Sequence, residues 1–128
     1  MIILLEYEKC TKQEFFDNYK LLSKYNTRIG NFDNLYTIKF ENNAIGLFEI
    51  EPYMQDGFLI NWFEIFTRFQ KNKFGFKTVE LIVEDLKDLE DLKVRYIYIC
   101  PKEEAEPFWR SCGFAESTFQ STLMVRQL

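Results

Sequence analysis

The stretch Ile65-Phe66-Thr67-Arg68-Phe69-Gln70-Lys71-Asn72-Lys73-Phe74-Gly75-Phe76 decides the fold. The run leading into it, Phe58–Phe66, is dense in aromatic residues and reads as a central strand. After Gly75, the residues Phe76, Val79, Ile82, Val83, Leu86 and Leu89 recur at helical spacing through a charged segment, which predicts an amphipathic helix packed on a sheet. The stretch is therefore a polar, basic strand-to-helix connection. Amides at a helix start lack an intrahelical acceptor, and the helix dipole adds partial positive charge, so the ligand such a connection suits is a phosphate. Arg68, Lys71, Lys73 and Lys77 put four cations within ten residues of a chain whose net charge is −4. The alternative is an exposed, lysine-rich loop that caps a helix.

Upstream, three strands are expected in hairpin order: Leu35–Phe40, then Ala44–Glu51 after the turn Glu41-Asn42-Asn43, then Phe58–Phe66 after Pro52 to Gly57. Nearer the start, Ile2 to Tyr7 reads as a short strand. Thr11-Lys12-Gln13-Glu14 is a capping box, and Phe15, Tyr19 and Leu22 form the apolar stripe of a helix ending near Tyr25. Asn26 to Asn34 reads as a loop. Downstream, Val94–Cys100 is an unbroken run of β-formers, as in a strand covered on both faces. Ala105, Phe108, Trp109 and Cys112 then share a helix face, with Pro107 tolerated in its first turn and Gly113 placed for a left-handed C-cap. That helix is expected to begin near Glu103 or Glu104. Phe114–Glu116 and Phe119–Arg126 close the chain as strands. The order β-α-β-β-β-α-β-α-β(β), with no repeat or linker, predicts one domain over residues 1–128.

The chain has 128 residues, of which 47% are hydrophobic and 18% aromatic, enough material for a real core. Its acidic balance argues against a surface that grips nucleic acid or anionic membrane throughout. Cys10, Cys100 and Cys112 are odd in number and lack a CxxC spacing, which fits a reducing compartment, and the cytoplasm is the expected one. The apolar start, Met1 to Glu6, is too short for a signal peptide or a membrane span. The chain contains no histidine, so an imidazole base, a Ser-His or Cys-His nucleophile and a His-ligated metal are all excluded. No metal is expected.

The quoted segment resembles the acyl-CoA loop of the GNAT N-acyltransferase superfamily, whose pattern is Gln or Arg, two residues, Gly, one residue, Gly or Ala. Here it reads Gln70-Lys71-Asn72-Lys73-Phe74-Gly75, matching the first and last fixed positions. A second motif of that family is Asn, two residues, Ala, two residues, Phe-Tyr, three residues, Gly-Phe. It is similar to Lys102, Ala105, Phe108-Trp109 and Gly113-Phe114, with every spacing kept. The likeness covers roughly residues 35 to 116. It implies an α/β (α+β) fold with a mixed, mostly antiparallel sheet, helices on both faces and a splay between the fourth and fifth strands.

The resemblance further implies a single-step transfer of an acetyl group from acetyl-CoA to a primary amine on a small molecule or peptide. Phe63 and Ile65 would offer main-chain groups to the pantetheine arm. Lys71, Asn72, Lys73, Phe74, Gly75 and Phe76 would offer amides to the pyrophosphate, with Gln70, Lys102 and Trp109 also at the cofactor. Three positions depart from the pattern: Lys73 replaces a glycine, Lys102 replaces an asparagine, and Trp109 replaces a tyrosine that often protonates the departing thiolate. An indole N–H gives up no proton near neutral pH, and a thiolate can take one from water. A shortened region Thr11–Asn34 points to an acceptor site that is open or completed by a second subunit of a homodimer.

An amine acceptor arrives largely protonated, so a base is required. Glu64, on the fourth strand beside the expected gap, is one candidate, its alternative being a solvent-facing strand residue. Tyr98, on the fifth strand, is a candidate acid, or else a core tyrosine. Glu49 and Glu51 share a strand face that reads as solvated, and Cys100 and Cys112 read as core residues. Three other functions fit parts of the chain. One is a GNAT-like domain that binds acyl-CoA or a protein without turnover. Another is RNA binding through Lys73-Phe74-Gly75-Phe76, which needs that segment on a strand. The third is an assembly role for exposed aromatics.

Overall fold

The computed structural model describes residues 4–11, 13, 14, 17, 34–89, 93–120 and 122–128, and of Lys71 the backbone alone. The strands are β1 (Leu5–Lys9), β2 (Leu35–Phe40), β3 (Asn43–Tyr53), β4 (Gly57–Ile65), β5 (Tyr96–Ile99), β6 (Ala115–Glu116) and β7 (Met124–Gln127). Between β4 and β5 lie a 3-10 turn at Thr67–Asn72 and helix α1 (Phe74–Lys87). Between β5 and β6 lie a 3-10 turn at Glu103–Ala105 and helix α2 (Glu106–Ser111). One sheet runs in the order β1-β2-β3-β4-β5-β7-β6, antiparallel at every seam except β4–β5.

The parallel seam is short and has visible causes. Gly57–Ile60 pairs with Tyr96–Ile99, and β4 then continues to Ile65 paired with β3 only. On the β3 side the register jumps between Glu49↔Trp62 and Ile50↔Ile60, leaving Asn61 as the extra residue of a bulge, which bends the strand. On the β5 side the chain passes through Cys100 to Pro101, which has no amide to donate to a ladder. The two strands part at this point.

One face of the sheet carries the core. Ile38, Phe48, Ile60 and Ile97 pack with Val79, Ile82 and Val83 of α1 and with Trp109 and Cys112 from the α2 region. Tyr7 reaches from β1 to hydrogen-bond Asp85 of α1, and Arg126 of β7 pairs with Glu80, so both wings of the sheet are tied to that helix. Burial and the neighbouring Asp85 carboxylate push the Tyr7 phenol upward. On the opposite face Leu35, Leu47 and Phe66 form a smaller cluster with Trp62 and Cys10.

Several expectations are corrected. The first described strand, Leu5–Lys9, runs two residues past the expected end at Tyr7, with Ile2 and Ile3 outside the described residues, and β3 runs past Pro52 to Tyr53 before turning. The fifth strand shortens to Tyr96–Ile99, losing Cys100 for the reason given above and starting two residues later than Val94. The last strand is Met124–Gln127, because the chain bends at residues 118 and 119, where Phe119 is 56% exposed. Helix α1 opens one residue before Gly75, not after it. Phe76 and Leu89 are both exposed, Leu89 because the helix has already ended at Lys87. Glu49 is fully buried rather than solvated, lying opposite Trp62 at the base of the second face. The capping box forms in both directions: the Glu14 amide donates to Thr11 Oγ1 at 3.1 Å, and the Thr11 amide donates to Glu14 Oε1 at 3.2 Å. The remainder of the expected helix to Tyr25, the loop from Asn26 up to Asn34 and the acceptor wall they build fall outside the described residues.

Candidate functional site

The free stretch of β4 faces the splay with its backbone. The Phe66 amide donates to the Ile45 carbonyl on β3 at 2.8 Å. Successive residues of a strand point their main-chain groups to opposite sides, so those of Phe63 and Ile65 are directed at the open edge. There the Ile65 carbonyl already accepts a 2.8 Å hydrogen bond from the Gln70 side-chain amide. Gln70 therefore fixes the loop to the strand end, a role that no local pattern in the chain announces.

The loop itself is built around Lys73, which sits in the left-handed region at φ 60°, ψ 21°. For a residue with a Cβ this conformation costs about 1–2 kcal/mol. It ends the 3-10 turn and lets α1 start at Phe74, so Lys73 occupies the backbone role of the glycine it replaces. The first closed turn of the helix is the bond from the Lys77 amide to the Lys73 carbonyl, at 3.1 Å. The amides of Phe74, Gly75 and Phe76 precede it and have no acceptor within the helix. No side chain caps this end, and the first turn holds no acidic residue but does hold Lys77. A helix start without a cap and with added positive charge is complementary to an anion.

Gly75 has a steric reason. A Cβ there would stand 3.1 Å from the ring of Phe108 on α2. This contact brings the two helix starts together around a cavity of about 850 Å³ lined by Phe63, Ile65, Gln70, Lys73, Gly75, Phe76, Glu104, Ala105, Phe108 and Ser111. A second cavity of about 480 Å³ fills the splay, between Trp62, Glu64 and Ile65 on one side and Ile99, Cys100, Lys102 and Trp109 on the other.

Six of the expected residues thus line one wall system: Phe63, Ile65, Gln70, Lys73, Gly75 and Phe76. Glu64, Lys102 and Trp109 line the splay. Trp109 is 4% exposed and packs edge-on against Phe63, Phe108 and Phe114 at 5.0–5.3 Å between ring centroids. Phe74 is buried in the core and can contribute only its main chain, and the exposed Asn72 lines neither cavity. Arg68 turns its guanidinium over the ring of Phe69, at 5.4 Å from the centroid.

Tyr98 is placed elsewhere. It is 5% exposed among Tyr53, Tyr96 and Phe119 and lines neither cavity. Burial, with Asp56 second, pushes its phenol upward. Cys112 is in the core, with burial pushing its thiol up to about 11. Cys100 corrects its core assignment: it is exposed at the rim of the splay, one residue beyond the last paired position of β5. Glu104, Phe108 and Ser111 also line the site, although none of them was expected as a site residue. Phe108 is itself a position of the second motif, which was the available signal for it.

No family model and no curated protein sequence matches the chain. Solved structures do match it. An IAA acetyltransferase from Bacillus cereus ATCC 14579 superposes with a TM-score of 0.74 at 12% identity, covering 98% of this chain and 100% of that one. An acetyltransferase of the GNAT family from Staphylococcus aureus Mu50 gives 0.69 at 13% identity, covering 98% and 99%. N-acetylglutamate synthase from Neisseria gonorrhoeae, complexed with coenzyme A and L-arginine, gives 0.73 at 12% identity. The chain covers 34% of that larger protein, about a third of its length.

Proposed function

Taking as premise that the chain has the fold of the GNAT acetyltransferases, we propose that it transfers an acetyl group from acetyl-CoA to a primary amine. The observation that carries this reading is the uncapped start of α1, with Lys73 and Lys77 beside it, opening into a cavity that reaches the free edge of β4. A thioester supplies an acyl carbon already activated toward amines. The residues of this chain bind and orient it. The Phe74–Phe76 amides and Lys73 would hold the diphosphate, and the main-chain groups of Phe63 and the amide of Ile65 would align the pantetheine arm. Glu64 in the splay would take the proton from the acceptor amine, directly or through water. Trp109 would pack beside the sulfur and give no proton, so the leaving thiolate is protonated by solvent.

Calorimetric titration of the chain with coenzyme A, followed by incubation of acetyl-CoA with amines and detection of free thiol, tests the proposal. Saturable binding with amine-dependent thiol release is expected. An absence of coenzyme A binding would overturn it. The buried indole at Trp109, where a proton donor often stands, favours a second reading: a domain that binds acyl-CoA without turnover. Binding without thiol release across the amine panel would establish that reading instead.

A further inference from the structure

Phe76 stands in register with the buried stripe of α1. Val79 and Val83, three and seven residues on, are both 0% exposed, whereas Phe76 is 39% exposed. The difference lies in what is underneath. Further along, the stripe covers the sheet, but at the first turn it overhangs the 850 Å³ cavity, which Phe76 lines together with Lys73, Gly75, Phe108 and Ser111. A helical side chain leans toward the N-terminus of its helix, so this ring covers the same turn that presents the open amides. A large apolar ring is thereby held against a ligand space instead of a core.

We propose that Phe76 is a specificity-determining residue, its ring stacking on the adenine of the acyl donor, so that the site selects donors carrying the nucleotide over shorter phosphopantetheine thioesters. The inference rests on the acyl-CoA reading above. With the pantetheine arm along β4 and the diphosphate on the Phe74–Phe76 amides, the nucleoside continues from the diphosphate, and the exposed ring of Phe76 is carried by that same turn. Aromatic rings hold bases through their π-faces, which requires no hydrogen-bond pattern.

Isothermal titration of the full chain with coenzyme A and with 4′-phosphopantetheine, which lacks the adenosine, tests it. Phe76→Ala should weaken coenzyme A roughly 5- to 100-fold, from the usual strength of base stacking, and should weaken phosphopantetheine far less, because the amide of residue 76 is kept. Phe76→Trp should restore coenzyme A affinity, with its added emission quenched by coenzyme A and not by phosphopantetheine. Unchanged coenzyme A affinity in Phe76→Ala, or equal weakening of both ligands, would overturn the role of the ring. If the parent chain binds neither ligand, the acyl-CoA reading itself falls, a result distinct from the other two.

Discussion

The side-chain amide of Gln70 donates a 2.8 Å hydrogen bond to the main-chain carbonyl of Ile65, tying the loop before α1 to the last residue of β4. In the proposed enzyme these two pieces carry different parts of one ligand, the diphosphate and the pantetheine arm. Gln70→Ala leaves the Ile65 carbonyl without this partner on an open strand edge, at a cost of about 1 kcal/mol. The loop also loses its register to the strand. KM for acetyl-CoA should therefore rise more than kcat falls. Equal KM values in the two chains would show that the tie is structural alone.

Lys73 combines two properties that substitution can separate. Lys73→Gly keeps the left-handed backbone and removes the ammonium, so coenzyme A should bind several-fold more weakly and with a flatter dependence on salt. Lys73→Val keeps no charge and puts a β-branched side chain at φ 60°, so it should be less stable than Lys73→Gly by at least about 1–2 kcal/mol. Thermal melts and titrations at two ionic strengths distinguish the cases. A Lys73→Gly chain with unaltered salt dependence would remove the ammonium from the diphosphate site.

How much of this was legible beforehand follows from what periodicity encodes. The spacing of Val79, Ile82, Val83 and Leu86 fixes an azimuth around α1, and all four are buried as expected. It does not encode what lies beneath each turn, so Phe76, on the same stripe, ends over a cavity. Likewise Val94–Cys100 reads as one strand by propensity, yet Pro101 and the Asn61 bulge end the pairing at Ile99 and leave Cys100 on the rim of the splay. Glu64 and Tyr98 both sit near the β4–β5 seam in sequence terms. Only the register shows that Tyr98 pairs with Leu59 inside the seam, while Glu64 lies beyond its end. The contact of Gly75 with Phe108 joins residues 33 apart, and no local pattern records it.

Arg126 holds the C-terminal strand to both helices. Its Nη1 donates to Glu80 Oε1 on α1 at 2.8 Å and to the Cys112 carbonyl after α2 at 2.7 Å. Arg126→Ala breaks both bonds and should destabilise by about 1–3 kcal/mol. Glu80→Gln removes only a partly exposed ion pair and should cost less than about 1 kcal/mol. Chemical denaturation of both variants measures the difference. Equal losses would mean that the bond to the Cys112 carbonyl contributes nothing.

Stability at alkaline pH should report on Cys112, whose thiol burial pushes up to about 11. An unfolded cysteine titrates near 8.5, so over the interval between the two values the folded chain keeps a proton that the unfolded chain has lost. The contribution is intact below about pH 8.5 and is lost as pH rises toward 11. Cys112→Ala is less stable overall because it leaves a cavity, but its stability should fall less steeply over that interval. Burial also pushes Cys10 and Tyr98 upward, and both are present in each chain, so the difference in slope isolates Cys112. Identical slopes would contradict the assignment.

The role proposed for Glu64 makes a prediction whose sign depends on pH. Glu64→Gln preserves the shape of the side chain that lines the splay and removes its basicity. Coenzyme A affinity should be unchanged, while kcat at neutral pH should fall about 100-fold, the usual scale for loss of a general base. An alkyl amine loses its own proton near pH 10.4, so raising the pH supplies the deprotonated nucleophile without help. The deficit of the variant should accordingly shrink as pH rises, and with an amine acceptor of lower pKa it should shrink at lower pH. A deficit that stays constant across pH and across acceptors would mean that Glu64 shapes the gap without taking the proton.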